Sequence, residues 1–246
     1  MLIFRIVKKE IVVYPNFTKL QKYPLGLPTS FLTFAFTNRK AMTLKTKVKI
    51  NRITNLTDAR YCSGMSVDIL GFCLEEGSPH YVTPTQFQEI TGWISGIDYA
   101  AEFSELDAYS IERLLADYSS ISWIESEDLD TLVRLTPMGK KLIYRMQLED
   151  LDSLLPKIEL LREYKITLHV TSINKFIAID NEPIIIELLN QLNLFLGAGI
   201  SPTNASSLSE LPGLYGFALD SGDEIKPGLR DFDQLAAILE SLELED

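Results

Sequence analysis

His80 and His169 are the only two histidines in this 246-residue chain. They fall close to the ends of β-rich runs, as do the carboxylates Glu75, Glu102 and Glu125. Imidazoles and carboxylates gathered on one face can move protons or hold a divalent metal. No HxH or HExxH spacing supports a metal, and acids scattered over strand ends are ordinarily solvated, so neither a metal nor a cofactor is expected. Cys62 and Cys73 are too few for a disulfide framework or a four-thiolate zinc site, and they read as small core residues of a protein in a reducing cytoplasm. A second chemistry is written in GAGISPTN and DSGD, where Gly197 and Gly199 precede Asn204 at a helix start and Ser221 and Gly222 follow an apolar run. Backbone N–H groups at such places can hold a phosphate, reinforced by the helix dipole. The plainer reading, that these glycines only serve turns needing positive φ, stays open beside it.

These groups need a scaffold, and from Lys47 onward the chain alternates short β-rich runs with amphipathic helical patterns. KVKIN precedes a helix capped by Asn55 or Thr57, and the nearly continuous apolar run VDILGFCL reads as a strand buried on both faces. Thr83, Pro84 and Gln86 then form a capping-box start. Further pairs follow as DYAAEF with LDAYSIERLLADY, SISWIES with EDLDTLVRL, KKLIYRMQL with LDSLLPKIELLREY, and KITLHVTS with EPIIIELLNQ. LNLFLGAGI with TNASSLSEL and LYGFALD with DFDQLAAILESL complete eight units. Eight strand-helix units in roughly 205 residues predict an α/β fold of the closed (β/α)8 TIM-barrel type. Reactive groups in that fold sit at strand C-terminal ends, which singles out Asn51, Glu75, Glu102, Glu125, Gln147, His169, Gly197–Gly199 and Asp220. Trp93 and Trp123 are expected to serve packing.

Composition narrows the partners. A net charge of −11, from 23 Lys+Arg against 34 Asp+Glu, argues against nucleic acid and against anionic membrane, since both require a cationic face. No apolar run reaches the ~20 residues of a membrane span. Residues 1–41 differ from the rest: Arg5, Lys8, Lys9, Lys19, Lys22, Arg39 and Lys40 stand against the single acid Glu10. Interrupted by Pro15, Pro24 and Pro28, and holding no lasting period, this stretch is expected to be a disordered extension or translated upstream sequence. The single barrel domain is then 42–246, starting at Met42.

The run VKINRITNLTDARYCSGMSVDILGFCLEEGSPHYVTPTQFQEI, together with GAGISPTNA and DSGDEIKPGLRD near the end, resembles phosphoribosylanthranilate isomerase. That tryptophan-pathway (β/α)8 family carries out an Amadori isomerisation of a phosphoribosyl amine. The resemblance implies a phosphorylated small molecule as ligand, phosphate contacts from Gly197, Gly199, Asn204, Ser221 and Gly222, no cofactor, and a monomer or homodimer. It also exposes departures at the chemical positions. The family's general-base cysteine, in a lysine-isoleucine-cysteine-glycine motif, corresponds to Asn51 in Lys49-Ile50-Asn51-Arg52, and an amide has no pKa suited to that task. Arg52 stands at the glycine and His80 at the substrate-binding arginine of the SPRYV loop, so these two are the substrate-binding candidates. The family's aspartate acid and GGTG loop have no clear counterpart in KITLHVTSINKFIAIDNEP; His169 and Asp180 are the candidates for the acid. A divergent barrel with weak or no isomerase activity is therefore expected. The alternatives are a non-catalytic phosphate-ligand-binding or interaction protein, and an enzyme repurposed for another phosphorylated small molecule.

Overall fold

Each β-rich run from Lys47 onward becomes a strand whose alternating side chains serve two interiors. The computed structural model describes residues 4–7, 10–13, 21–24, 43–172, 183–221, 224–226, 229–230 and 232–244. The barrel strands are β1 (Lys47–Asn51), β2 (Ile69–Cys73), β3 (Asp98–Glu102), β4 (Trp123–Ser126), β5 (Lys141–Gln147), β6 (Thr167–Thr171), β7 (Leu194–Leu196) and β8 (Leu214–Asp220). They are all parallel and hydrogen-bond in sequence order, and β8 closes onto β1. This is the (β/α)8 barrel that the alternation predicts.

Register sets which residues look inward. Lys49 lies opposite Ala218 and Ile69, Glu102 opposite Cys73 and Glu125, and Arg145 opposite His169. Residues of the other parity, among them Val48, Ile50, Leu70, Phe72 and Val170, are buried in the larger core between barrel and helices. The floor of the barrel is a separate apolar layer made by Ile69, Ala100, Trp123, Ile143, Phe195 and Ala218. The rings of Trp123, Phe195 and Tyr215 meet edge to face there, at centroid separations of 5.0 to 6.4 Å. Trp123 thus serves packing as expected, whereas Trp93 is 53% exposed, with the Arg60 guanidinium 5.9 Å from its ring centroid.

Eight α-helices pair with these strands: α1 (Leu56–Gly64), α2 (Pro84–Thr91), α3 (Ala108–Leu114), α4 (Leu129–Leu135), α5 (Ile158–Glu163), α6 (Pro183–Leu189), α7 (Ala205–Leu208) and α8 (Asp233–Ser241). Asn55 caps α1, its Oδ1 accepting from the Asp58 N–H at 2.9 Å. Thr83 and Gln86 form the reciprocal box at α2. Two helices are shorter than their patterns suggest. Before α5 the chain takes 3₁₀ turns at Leu148–Ser153 and Leu155–Lys157, since Pro156 inside a longer α-helix would remove a donor and clash with the preceding turn. In α7 the hydroxyls of Ser207 and Ser209 donate back to the carbonyls of Asn204 and Ser206, and a serine-rich segment with such local partners stops after one turn.

Outside the barrel strands, Phe4–Val7, Glu10–Val13 and Gln21–Pro24 form a three-stranded antiparallel sheet. Glu224–Lys226 and Leu229–Arg230 pair as a short ribbon after β8. No helix among the described residues is long and apolar enough to cross a membrane.

Candidate functional site

Above the apolar floor the barrel interior is charged. Lys49, in the middle of β1, is fully buried, and its ammonium has three donors to place. They meet Glu102 Oε1 at 2.5 Å, Asn51 Oδ1 at 2.6 Å and Glu125 Oε2 at 3.2 Å. Burial by itself would lower the Lys49 pKa; Glu102 and Glu125 overturn that and raise it, so the amine is a held cation and not a free nucleophile. Glu125 is also completely buried. Desolvation alone would raise its carboxyl, but Lys49, then His169 and Arg145, hold it far below the usual carboxylate range.

The network continues around the barrel. Glu125 Oε2 lies 3.1 Å from His169 Nδ1, and Glu125 Oε1 lies 3.5 Å from Arg145 Nη1. Arg145 Nη2 donates to Glu127 Oε1 at 2.7 Å and to Ser104 Oγ at 3.1 Å. On the other side Glu102 Oε2 accepts the Arg52 N–H at 3.1 Å. The Arg52 guanidinium reaches Asp220 Oδ2 at 2.5 Å, and Asp220 Oδ1 accepts from Asn51 Nδ2 at 3.3 Å. Burial would raise the Asp220 carboxyl; Arg52, then Asn51, hold it below its ordinary value. Arg52 adopts φ 54°, a left-handed conformation that costs a side-chain-bearing residue about 1–2 kcal/mol and is retained by these two anchors.

Glycine makes room for this packing at Gly71. A Cβ there would stand 1.9 Å from Glu102 Oε1 and 3.0 Å from Lys49 Nζ. Gly71→Ala must therefore push the carboxylate off the ammonium, and a loss of about 1–3 kcal/mol is expected in urea unfolding. A variant as stable as the parent would show that the Glu102 side chain can rearrange freely.

The expected phosphate cradle is partly committed elsewhere. Gly197 N–H donates to the Val170 carbonyl at 2.8 Å as a continuation of the sheet. Both ends of the Asn204 amide tie its own loop, accepting from Ser201 N at 2.7 Å and donating to Gly199 O at 2.8 Å. Gly199 has φ 67°, so its turn role is real. Ser221 is buried, and its hydroxyl has no hydrogen-bond partner among the described residues. Gly222 and Asp180 lie outside the described residues, as does the stretch 173–182 where the family's GGTG loop would fall.

Of the remaining candidates, Asn51, Arg52, Glu102, Glu125, His169 and Asp220 come together in one cluster. Glu75 does not join it: its carboxylate accepts the N–H groups of Ser104 and Glu105 and fixes the loop after β3. His80 lies half-buried on the loop after β2, with its N–H on Ser78 Oγ at 3.3 Å. Among the described residues there is no group of three side chains suited to a metal. Sequence reasoning missed Lys49 and Arg145 as site residues. The available signal was parity: Val48 and Ile50 face the helices, so the lysine between them has only the barrel interior to enter.

Comparison with known proteins agrees with this fold. An N-(5'-phosphoribosyl)anthranilate isomerase of Leptospira interrogans is 27% identical over 199 residues, covering 76% of this chain and 90% of that protein. The chain is a divergent relative of the phosphoribosylanthranilate isomerases. A structure of the dimeric Thermotoga maritima phosphoribosylanthranilate isomerase, studied as generated monomers, superposes with a TM-score of 0.65 at 20% identity, covering 80% of this chain and 98% of that one. A phosphoribosylanthranilate isomerase in complex with reduced 1-(o-carboxyphenylamino)-1-deoxyribulose 5-phosphate gives 0.65 at 19% identity, with the same coverage. No family model matches the chain. At the end of β1 in this barrel, Asn51 has both ends of its amide engaged, by Lys49 and by Asp220.

Proposed function

We propose that this chain is a phosphoribosylanthranilate isomerase-type barrel of the tryptophan-biosynthesis kind that binds a phosphorylated sugar derivative at the mouth near β7 and β8, and that catalyses the Amadori isomerisation weakly or not at all. The carrying observation is Asn51. Its Oδ1 accepts from Lys49 and its Nδ2 donates to Asp220, so the side chain at the base position is a fixed hydrogen-bonding strut. The interior cations Lys49 and Arg145 are paired with carboxylates. An incoming phosphate therefore depends on backbone N–H groups of the Ala198–Ile200 turn, since that of Gly197 is spent on Val170, on Ser221 and, following the resemblance, on Gly222, with Arg52 and His80 meeting the rest of the ligand. The protein works in this reading as a monomer or homodimer in the cytoplasm, without nucleic acid or membrane as partner. Complementation of a tryptophan auxotroph lacking the isomerase, with the full chain expressed, tests it; growth at the rate given by a functional isomerase would overturn the loss of activity.

The barrel domain in this reading is 42–246, with residues 1–41 an extension. Deleting the first 41 residues is expected to leave the thermal midpoint essentially unchanged. A fall of several degrees on truncation would instead make the extension part of the cooperative unit.

A further inference from the structure

His169 holds a buried nitrogen that no described residue uses. The residue is 1% exposed, and its Nδ1 faces Glu125 Oε2 at 3.1 Å. Nε2 is buried without a hydrogen-bond partner. Leaving such an atom unpaired costs about 1–3 kcal/mol, which an apolar residue of similar size would avoid. The ring also has a place reserved for it on the neighbouring strand end, since a Cβ on Gly197 would lie 2.5 Å from Nε2 and 3.1 Å from Cδ2. Glu125 is kept ionised by the Lys49 ammonium at 3.2 Å and by Arg145, so it accepts a hydrogen bond and places the imidazole proton on Nδ1. The remaining nitrogen then carries a lone pair, oriented and desolvated, midway along β6 inside the barrel.

We infer that His169, positioned by Glu125, is the proton-transfer group of this barrel, with Nε2 as the working nitrogen and a phosphorylated sugar bearing a C–H next to a carbonyl or imine as its substrate class. This rests on the proposal that a phosphorylated sugar binds at the mouth, and it gives the site a base that Asn51 cannot provide. In the step, the C–H bond breaks as Nε2–H forms, and the bonding pair becomes the C=C of an enediolate or enamine while the carbonyl or imine π pair moves onto its heteroatom. Return of the proton to carbon reverses it. Lys49 takes no proton here, because its three donors are occupied.

Two measurements on the full chain test the inference. Proton-nitrogen NMR of ¹⁵N-histidine-labelled protein, with the two histidines told apart by His80→Gln, should show the neutral ring of His169 carrying its proton on Nδ1 and bare at Nε2. A proton on Nε2 in the neutral ring would overturn it. Ribulose 5-phosphate in D₂O should take up deuterium beside its carbonyl faster with the protein than in buffer. His169→Asn should lower that rate at least about 100-fold while calorimetry shows binding retained. Binding without exchange, or exchange indifferent to His169→Asn, overturns the inference. Failure of ribulose 5-phosphate to bind at all counts against the phosphosugar reading, and the imidazole spectrum then decides the inference alone.

Discussion

Lys49→Met is expected to destabilise the barrel by about 3–5 kcal/mol, the range found when one partner of a buried ion pair is removed. The methionine fills a similar volume, so the loss comes from charge. Glu102 and Glu125 would be left 2% and 0% exposed without the ammonium that holds both of them, and Asn51 would lose the donor to its Oδ1. For a domain of this size the thermal midpoint should fall by roughly 10–15 °C. Urea unfolding of the parent and the variant measures the difference, and a change below about 1 kcal/mol would show that the two glutamates are not ionised together.

The same pair sets the pH range of stability. Glu125 has a folded pKa depressed below its unfolded value, so its contribution is complete above about pH 5 and is lost as pH falls below that. Lys49 has a raised folded pKa, so its contribution is complete below its unfolded value near about pH 10 and is lost as pH rises through the folded one. A plateau between these limits with an acid limb beginning near about pH 5 is expected. In Lys49→Met that limb should shrink or invert, because protonating Glu125 would then relieve a buried charge.

Turnover of phosphoribosylanthranilate is expected to be absent at the level of its spontaneous decay, followed by loss of its fluorescence with purified protein. A positioned base and a positioned acid each contribute about 10²–10⁴-fold, and under the proposed function the base position is held by Asn51, an amide tied to Lys49 and Asp220. Under the same proposal the strand-six candidate for the acid is His169, whose Nδ1 faces Glu125. Asn51→Cys alone is expected to restore little. A thiol there would stand between the Asp220 carboxylate and a Lys49 ammonium already paired with Glu102 and Glu125, so no net positive field favours a thiolate. Turnover by the parent within tenfold of an authentic isomerase would overturn this, and it would point to His169 doing both jobs.

Much of this was written in the chain itself. Eight alternations of β-rich and helical runs specify the barrel, because a strand buried on both faces and a helix with one apolar side have few ways to satisfy each other over about 250 residues. The capping box at Thr83 and Gln86 was legible because it is a contact over three residues. Tertiary structure decided what the charges are for. Lys49 and Glu102 stand 53 residues apart and Glu125 and His169 stand 44 apart, and only barrel closure and register make them partners. Sequence placed Glu75 beside Glu102 and Glu125 as equals, yet one backbone loop claims Glu75 while Lys49 claims the other two. Asn204 similarly looked free to face a ligand, and its amide is spent on its own turn. Local hydrogen-bonding patterns are encoded within a few residues, whereas the partner of a buried charge is set by which strands become neighbours and which parity faces inward.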